Sequence, residues 1–357
     1  MELKLNFLSA NFLTVGKSSD KDLFDAHGRL LLAKGKLVSP TIMELLVKRK
    51  LYILEYEWNN KQSPKESFSP ELYQRILGSM QRIFCDAHLF SSKNLLATMK
   101  IVDGIIIELE KSGGYVDFNH FRTHDNYTYV HSINVALIAT LIALQIGYQG
   151  NYLRNLCLGA LLHDLGKLMI PSSILNKPSG LTPEEFEIVK RHPIQGQYML
   201  QNVSVPSEVL FSIRQHHERW NGQGYPDRLM KRGIHQSAQI VAVADVFDAL
   251  TADRPYRKGL PPYHAFEMVV ACSDKDFNPK VVQAFRESLN LYPENAIVTL
   301  NTGEVGVVVA VPIQMPTRPL VRLLFDSNGV FIHRETFVDL LQDLTRFIGR
   351  IEFKEVG

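Results

Sequence analysis

Cysteine is scarce in this chain: Cys85, Cys157 and Cys272 are the only three among 357 residues, widely spaced and without a CxxC pair. An odd, scattered set builds neither a disulfide framework nor a thiolate metal site, and it suits a reducing compartment. Charge of one sign is also missing. Lys and Arg total 39 against 37 Asp and Glu, a formal net of +2. That excludes a broad electrostatic surface for nucleic acid or membrane and leaves room for a local basic pocket. Long hydrophobic runs are absent too. The most apolar stretch, residues 135–146, is interrupted by Thr140 and Gln145 and falls short of the roughly 20 residues that span a bilayer. It reads as a buried core helix. Residues 1–7 lack the basic region, apolar stretch and cleavage site of a signal peptide, so the expected location is cytoplasmic, without membrane insertion. No internal repeat or low-complexity tract is present.

What remains is 45% hydrophobic and 21% charged, ordinary for a soluble globular protein of two or three domains. Residues 1–62 read as a small α/β module with a regulatory role. A turn is expected from Asp25 to Gly28 before Leu30–Leu32, with Gly35 closing that run. Ser39 can cap, and Pro40 open, a helix over residues 41–50; a strand follows from Leu51, and residues 59–70 are the linker candidate. Residues 63–292 read as an all-α bundle, with a motif core at 120–260. Ile133, Leu137, Thr140, Leu141 and Leu144 keep helical spacing, as do Leu153, Leu156, Ala160 and His163. Thr182, Pro183 and Glu185 spell a capping box. Further helices are expected at about 207–218 and 235–252. Residues 293–357 form a small β-rich module: strand-like runs at 296–300, 306–311 and 320–325 are separated by Asn-Thr-Gly and by a turn with Pro312, Pro316 and Pro319. Another turn is expected at 326–329 and a closing helix at about 335–347. The fold class is therefore mainly α, with a small module at each end.

Histidine is the abundant exception. Eight of the 12 histidines lie between residues 120 and 235. His163 and Asp164 end a predicted helix. Adjacent helical positions are about 100° apart, so the pair cannot share one narrow stripe but can grip a metal cluster over the helix end. The imidazole would bind one ion and the carboxylate, with two oxygens, would bridge two. Gly166 suits a left-handed helix terminator, which places Lys167 just beyond the ligands. Alone, the pair is equally a capping Asp beside a surface His. His192-Pro193, His216-His217-Glu218, His131 at the start of the apolar helix, and Asp245 and Asp248 on another apolar helix change the weight. Asp245 follows Ile240-Val-Ala-Val-Ala244, where an unpaired carboxylate is costly to bury. Nitrogen and carboxylate ligands without sulfur suit Fe, Mn, Ni, Co or Zn. The alternative is a set of mutually satisfied interior polar residues.

His163-Asp-Leu-Gly-Lys167, His192-Pro193, His216-His-Glu-Arg-Trp-Asn-Gly-Gln-Gly-Tyr-Pro226 and Ala244-Asp-Val-Phe-Asp-Ala-Leu-Thr-Ala-Asp-Arg-Pro-Tyr-Arg257 resemble, in order and spacing, the HD-GYP family. The resemblance covers about residues 100–290. It implies a helical HD core with a binuclear or trinuclear centre, often iron or manganese, in a bacterial phosphodiesterase of cyclic di-GMP. Carried over, one metal looks to His131, His163, Asp164 and Asp245, and the other to Asp164, His192, His216 and His217, with Asp164 bridging. Tyr127 stands where some members carry a third-metal Glu, which favours two divalent ions over three. The reaction implied is attack of a metal-activated water on phosphorus with departure of the 3′ oxygen, giving linear pGpG and, by a second cut, GMP.

Lys167 would neutralise a phosphate oxygen or help protonate the leaving group. Gly224 allows close backbone approach, Pro226 restricts Tyr225, and Tyr225 would present its hydroxyl to phosphate or its ring to guanine. Arg254 and Arg257 match basic residues that the family aims at the second phosphate. Asp248 would orient a ligand. Competing readings are a slow sensor of cyclic di-GMP and an HD-type phosphohydrolase of another nucleotide, cyclic GMP-AMP included. A homodimer and contacts with other signalling proteins suit such a chain, though no heptad seam marks an interface.

Overall fold

The computed structural model describes residues 2–8, 13–19, 23–24, 30–32, 35–47, 51–57, 68–85, 90–112, 116, 127–177, 179–252, 259–289, 291–292, 294–312 and 315–352. The chain divides into two compact units, residues 65–291 and residues 1–64 together with 292–357. Separation of the two end segments into domains of their own, 1–62 and 293–357, is a proposal.

In the N-terminal segment β1 (Glu2–Leu8), β2 (Leu23–Phe24), β3 (Leu30–Leu32), α1 (Pro40–Val47) and β4 (Leu51–Glu57) follow one another. The strands order as β1-β4-β2-β3, and β1 and β4 pair antiparallel from Glu2 opposite Glu57 to Leu8 opposite Leu51. Ser39 caps α1 as its sequence predicts: its hydroxyl accepts the Ile42 backbone N–H at 3.2 Å. Leu23, Leu32 and Val38 are buried, with Leu31, Ile42 and Met43 packed around them. The turn expected at Asp25–Gly28 and nearly all of the linker lie outside the described residues.

The helical unit comprises α2 (Pro70–Cys85), α3 (Ser92–Lys111), α4 (Tyr127–Ile146), α5 (Gly150–Leu162), α6 (Ser172–Leu175), α7 (Pro183–Val189), α8 (His192–Met199), α9 (Ser207–Gln215), α10 (Gln236–Thr251), α11 (Pro262–Ala271) and α12 (Pro279–Ser288). α4 is apolar on nearly every side, which suits a helix surrounded by protein. It packs against α5, α10 and α12, and Ile133, Leu137, Ala139 and Ile142 are fully buried. By length and composition residues 128–146 could cross a bilayer, yet 78% of the apolar window lies inside the protein. α7 starts on the expected capping box, Thr182 accepting the Glu185 N–H while the Glu185 carboxylate accepts the Thr182 N–H. α9 stops at Gln215, short of residue 218, so His216 and His217 occupy the turn that follows.

In the C-terminal segment β5 (Ile297–Leu300), β6 (Val305–Ala310), β7 (Leu320–Phe325), β8 (Phe331–Asp339) and β9 (Ile348–Glu352) form one antiparallel sheet of order β8-β7-β6-β5-β9. The expected turn after β7 forms, with the Val330 N–H on Asp326 Oδ1 at 2.8 Å and Gly329 at φ 75°. The helix expected at 335–347 does not. Phe331–Asp339 is instead a strand, paired along β7 with Val321 opposite Val338 and Leu323 opposite Thr336. The open edge of β7 offers that strand a partner, and tertiary pairing of this kind overrides local helical preference. Asp339 then turns the chain: its Oδ1 accepts the Leu341 N–H at 3.0 Å and its carbonyl the Gln342 N–H at 3.0 Å, which is an Asx turn rather than a helix start.

Candidate metal centre

Four helix ends and one helix interior converge on a buried polar cluster. α5 ends at Leu162, with His163 and Asp164 as the next two residues. His192 and Pro193 open α8, and His216 and His217 follow α9. His131 comes from the first turns of α4, and Asp245 and Asp248 from the middle of α10. His163, His192 and His216 are each 0% exposed and Asp164 is 1% exposed.

Three of these histidines are held in the same manner. The Nδ1–H of His163 donates to the Ala160 carbonyl at 2.7 Å, that of His192 to Val189 at 2.8 Å and that of His216 to Ile213 at 2.8 Å. Each carbonyl lies three residues earlier, in the last turn of a helix, where carbonyls lack the usual i+4 partner. A carbonyl can only accept, so the proton sits on Nδ1 and the Nε2 lone pair points inward. His131 is oriented through a side chain instead, its Nδ1 lying 2.7 Å from Asp248 Oδ2.

Asp164 divides the four imidazoles between its two oxygens. Oδ2 lies 3.4 Å from His163 Nε2 and 3.6 Å from His131 Nε2. Oδ1 lies 3.3 Å from His192 Nε2 and 3.9 Å from His216 Nε2. Asp245 completes the ring, with Oδ1 3.1 Å from His131 Nε2 and Oδ2 3.7 Å from His217 Nδ1. Two donors each about 2.1 Å from one divalent ion, at a tetrahedral or octahedral angle, sit about 3.0–3.4 Å apart, so these spacings suit shared coordination. The donor atoms of His131, His163 and Asp164 can hold one ion, and those of Asp164, His192, His216 and His217 can hold another. The cluster is not satisfied internally: His163 Nε2 and Asp164 Oδ1 are buried without a hydrogen-bond partner, a costly arrangement that a bound cation relieves.

The electrostatics point the same way. Burial pushes the Asp164 carboxyl upward, but the Lys167 ammonium and the neighbouring imidazoles outweigh it and hold the group well below the usual carboxylate range. Asp245 is likewise held well below the usual carboxylate range, burial being outweighed chiefly by the hydrogen bond to His131. Burial lowers His192 to about 4 and, with the neighbouring imidazoles, drives His216 and His217 well below the ordinary value. These rings are neutral at pH 7, the form that binds metal. His131 differs: burial would depress it, but its contacts to Asp245 and Asp248 raise it to about 9.

Gly166 plays a part other than the one its sequence context suggests. Its φ is not in the left-handed region; it lies in a 3-10 segment, Leu165–Met169. A Cβ there would fall 1.9 Å from the His192 carbonyl oxygen and 2.5 Å from Gly196 N. Glycine is required for close approach, which seats α8 and its His192 against Asp164. Lys167 stays close: its ammonium, rather than projecting clear, rests on Asp164 Oδ2.

The loop after His217 is built around two residues. A Cβ on Gly224 would fall 2.4 Å from both Glu218 Cα and Arg219 N, so the chain doubles back directly over the metal-facing turn. Glu218, 2% exposed, fastens the return, its carboxylate accepting the N–H groups of Asp227 at 2.7 Å and Leu229 at 3.0 Å. Tyr225 stacks on His217 with ring centroids 4.7 Å apart, and the Tyr225–Pro226 peptide is cis. Arg254, Arg257 and Asp125 fall outside the described residues, as does the side chain of Tyr127. Sequence reading assigned no role to Glu218, Asn134 or Tyr73. Asn134 was findable as the residue one turn after His131; Glu218 lies inside the quoted motif, but only the folded loop reveals its backbone partners.

The profile of the HD domain family matches residues 120–281, and that described as a KOW domain associated with HD domain matches residues 297–355. A cyclic di-GMP phosphodiesterase of Pseudomonas aeruginosa is 33% identical over 271 residues, covering 75% of this chain and 65% of that protein. One from Thermotoga maritima is 41% identical over 166 residues, 45% of this chain and 44% of that protein. A 3'3'-cGAMP-specific phosphodiesterase of Vibrio cholerae is 40% identical over 131 residues, 37% of this chain and 30% of that protein. The chain thus spans less than two thirds of the length of each of these relatives.

Proposed function

We propose that this chain, which belongs to the HD-domain family and carries the HD-GYP motifs, hydrolyses a phosphodiester bond of cyclic di-GMP in bacterial signalling. The observation that carries the reading is the division of Asp164 between two histidine sets, Oδ2 toward His131 and His163 and Oδ1 toward His192 and His216. One carboxylate facing two clusters of imidazole nitrogens suits two divalent ions, iron or manganese above nickel, cobalt or zinc. His131, His163, Asp164 and Asp245 would hold one, and Asp164, His192, His216 and His217 the other. Bound there, the pair would supply the charge that activates water and stabilises the attacked phosphate.

The chain's own groups do the rest. The backbone carbonyls behind His163, His192 and His216 and the Asp248 carboxylate behind His131 hold each ring in one orientation. Lys167, resting on Asp164 beside the two ion sites, would contact a phosphate oxygen or assist the departing 3′ oxygen. Water adds to phosphorus, the P–O3′ bond breaks and the ring opens to linear pGpG; a second hydrolysis gives GMP. Tyr225, braced on His217, and the backbone at Gly224 and Pro226 line the approach, with Arg254 and Arg257 as partners for the second phosphate.

Protein reconstituted with Fe(II) or Mn(II) is expected to convert cyclic di-GMP to pGpG over time, with products separated by chromatography. Tight binding without pGpG or GMP would replace this reading with that of a sensor. Faster turnover of 3'3'-cGAMP in the same assay would reassign the substrate.

A further inference from the structure

A line of buried hydrogen bonds runs outward from the Nδ1 side of His131, opposite its metal-facing Nε2, and ends on a different helix. His131 Nδ1–H donates to Asp248 Oδ2 at 2.7 Å. Asp248 Oδ1 accepts from Asn134 Nδ2 at 2.9 Å, and Asn134 Oδ1 accepts the Tyr73 hydroxyl at 3.0 Å. All four residues are buried, with exposures of 2% for His131, 5% for Asp248, 5% for Asn134 and 1% for Tyr73. Tyr73 lies on α2, which precedes the residues matched by the HD domain profile and is the first helix after the N-terminal strands.

The chemistry of the chain gives it a direction. A side-chain amide can face a neighbour with either end, and a flipped Asn134 would turn its oxygen toward the Asp248 carboxylate. The Asp248 carboxylate oxygen accepts from the amide, so it fixes the NH2 end toward itself, and the Tyr73 hydroxyl, 3.5 Å from the Val130 carbonyl, braces the oxygen end by donating to it at 3.0 Å. Asp248, held by Asn134 on one oxygen, meets the imidazole Nδ1 with the other, which turns Nε2 toward Asp164 and Asp245. We infer that Tyr73 is a positioning residue for His131, so that α2 sets the aim of one metal-facing imidazole through Asn134 and Asp248. The inference rests on the reading of His131 as a ligand. It makes the placement of α2, which leads directly from the linker, a determinant of metal binding at the Asp245 side of the centre.

The test uses the full chain in two states. Without metal, the exchange-protected Nδ1–H resonance of His131, observed in protein carrying 15N-histidine, should shift in Tyr73→Phe and again in Asn134→Ala. With Mn(II), Tyr73→Phe should weaken one of two binding events about threefold to tenfold, at or below the roughly 10–100-fold cost of losing a direct outer partner, and spare the other. In an Asp248→Asn background the Tyr73→Phe change should add nothing further, because the chain is already cut. Ile76→Val removes a methylene from the same buried face of α2 and serves as the packing control; it should leave the resonance and both affinities unchanged. A Tyr73→Phe protein with the wild-type resonance and affinities would overturn the inference, as would equal effects from Ile76→Val. Both outcomes leave the proposed activity standing if the parent protein binds Mn(II) and turns over substrate. A parent protein that binds no divalent ion would remove both readings together.

Discussion

The Nε2 atoms of His192 and His216 face each other at 3.2 Å, and neither has a proton to give the other. Each ring donates from Nδ1 to a backbone carbonyl, Val189 for His192 and Ile213 for His216. Two lone pairs at that separation repel unless something positive stands between them and Asp164. Burial at the same time keeps both rings from acquiring a proton. A divalent cation resolves the conflict and a structural hydrogen-bond network does not.

Replacing Asp164 with Ala should therefore remove both ions together, since its two oxygens serve both histidine sets. Elemental analysis should find less than half an equivalent of either metal, and turnover of cyclic di-GMP should fall by about 10³-fold or more. Full metal content in Asp164→Ala would defeat the assignment of Asp164 as the bridge.

Gly166→Ala places a methyl against the His192 carbonyl. Overpacking of this kind costs about 1–3 kcal/mol, which for a unit of this size lowers Tm by roughly 2–4 °C per kcal/mol. Calorimetry of the metal-free protein should record that fall, and metal titration should find the His192 side of the centre weakened most. An unchanged Tm would mean that the approach of α8 is not as close as these positions require.

Glu218→Gln tests the loop without touching the ligands. The carboxylate accepts two backbone N–H groups; an amide can accept only one and meets the other with a donor, leaving a buried group unpaired at a cost of about 1–3 kcal/mol. The expected signature is a severalfold rise in KM with both metals retained. Loss of metal, or an unaltered KM, would contradict a role confined to shaping the loop that carries Tyr225.

Stability of the metal-free protein should peak in the ordinary histidine range and fall toward both acid and base. His192 is lowered to about 4, so its contribution is complete above the unfolded value near 6.5 and is lost as pH falls toward 4; His216 and His217 act in the same sense. His131 is raised to about 9, so its contribution is complete below about 6.5 and is lost as pH rises through 9. Thermal scans from pH 4 to 10 should trace a maximum near pH 6.5, flattened on the acid side by bound Mn(II) wherever the ion still outcompetes protons. A steady rise in Tm from pH 6.5 to 9 would contradict the His131 assignment.

The sequence by itself determined the mainly helical class, the caps at Ser39 and Thr182, and the family motifs. Each of these is written in local periodicity or in side chains that act within three or four residues of themselves. It also brought the right residue types forward for a metal centre, because Asp245 among apolar neighbours and histidines at successive helix ends are costly unless they have a common partner. Other features depended on atoms distant in the chain. The closing helix expected at 335–347 does not form: residues 335–339 belong to β8, paired along β7, and residues 340–347 are turns. Gly166 is glycine because of the His192 carbonyl rather than because of its own φ. The split of Asp164 between two histidine pairs, and the line from Tyr73 to His131, exist only where helices from separate parts of the chain meet. Hydrogen bonds and metal sites need angles and ångströms, and those are set by packing that no local pattern encodes.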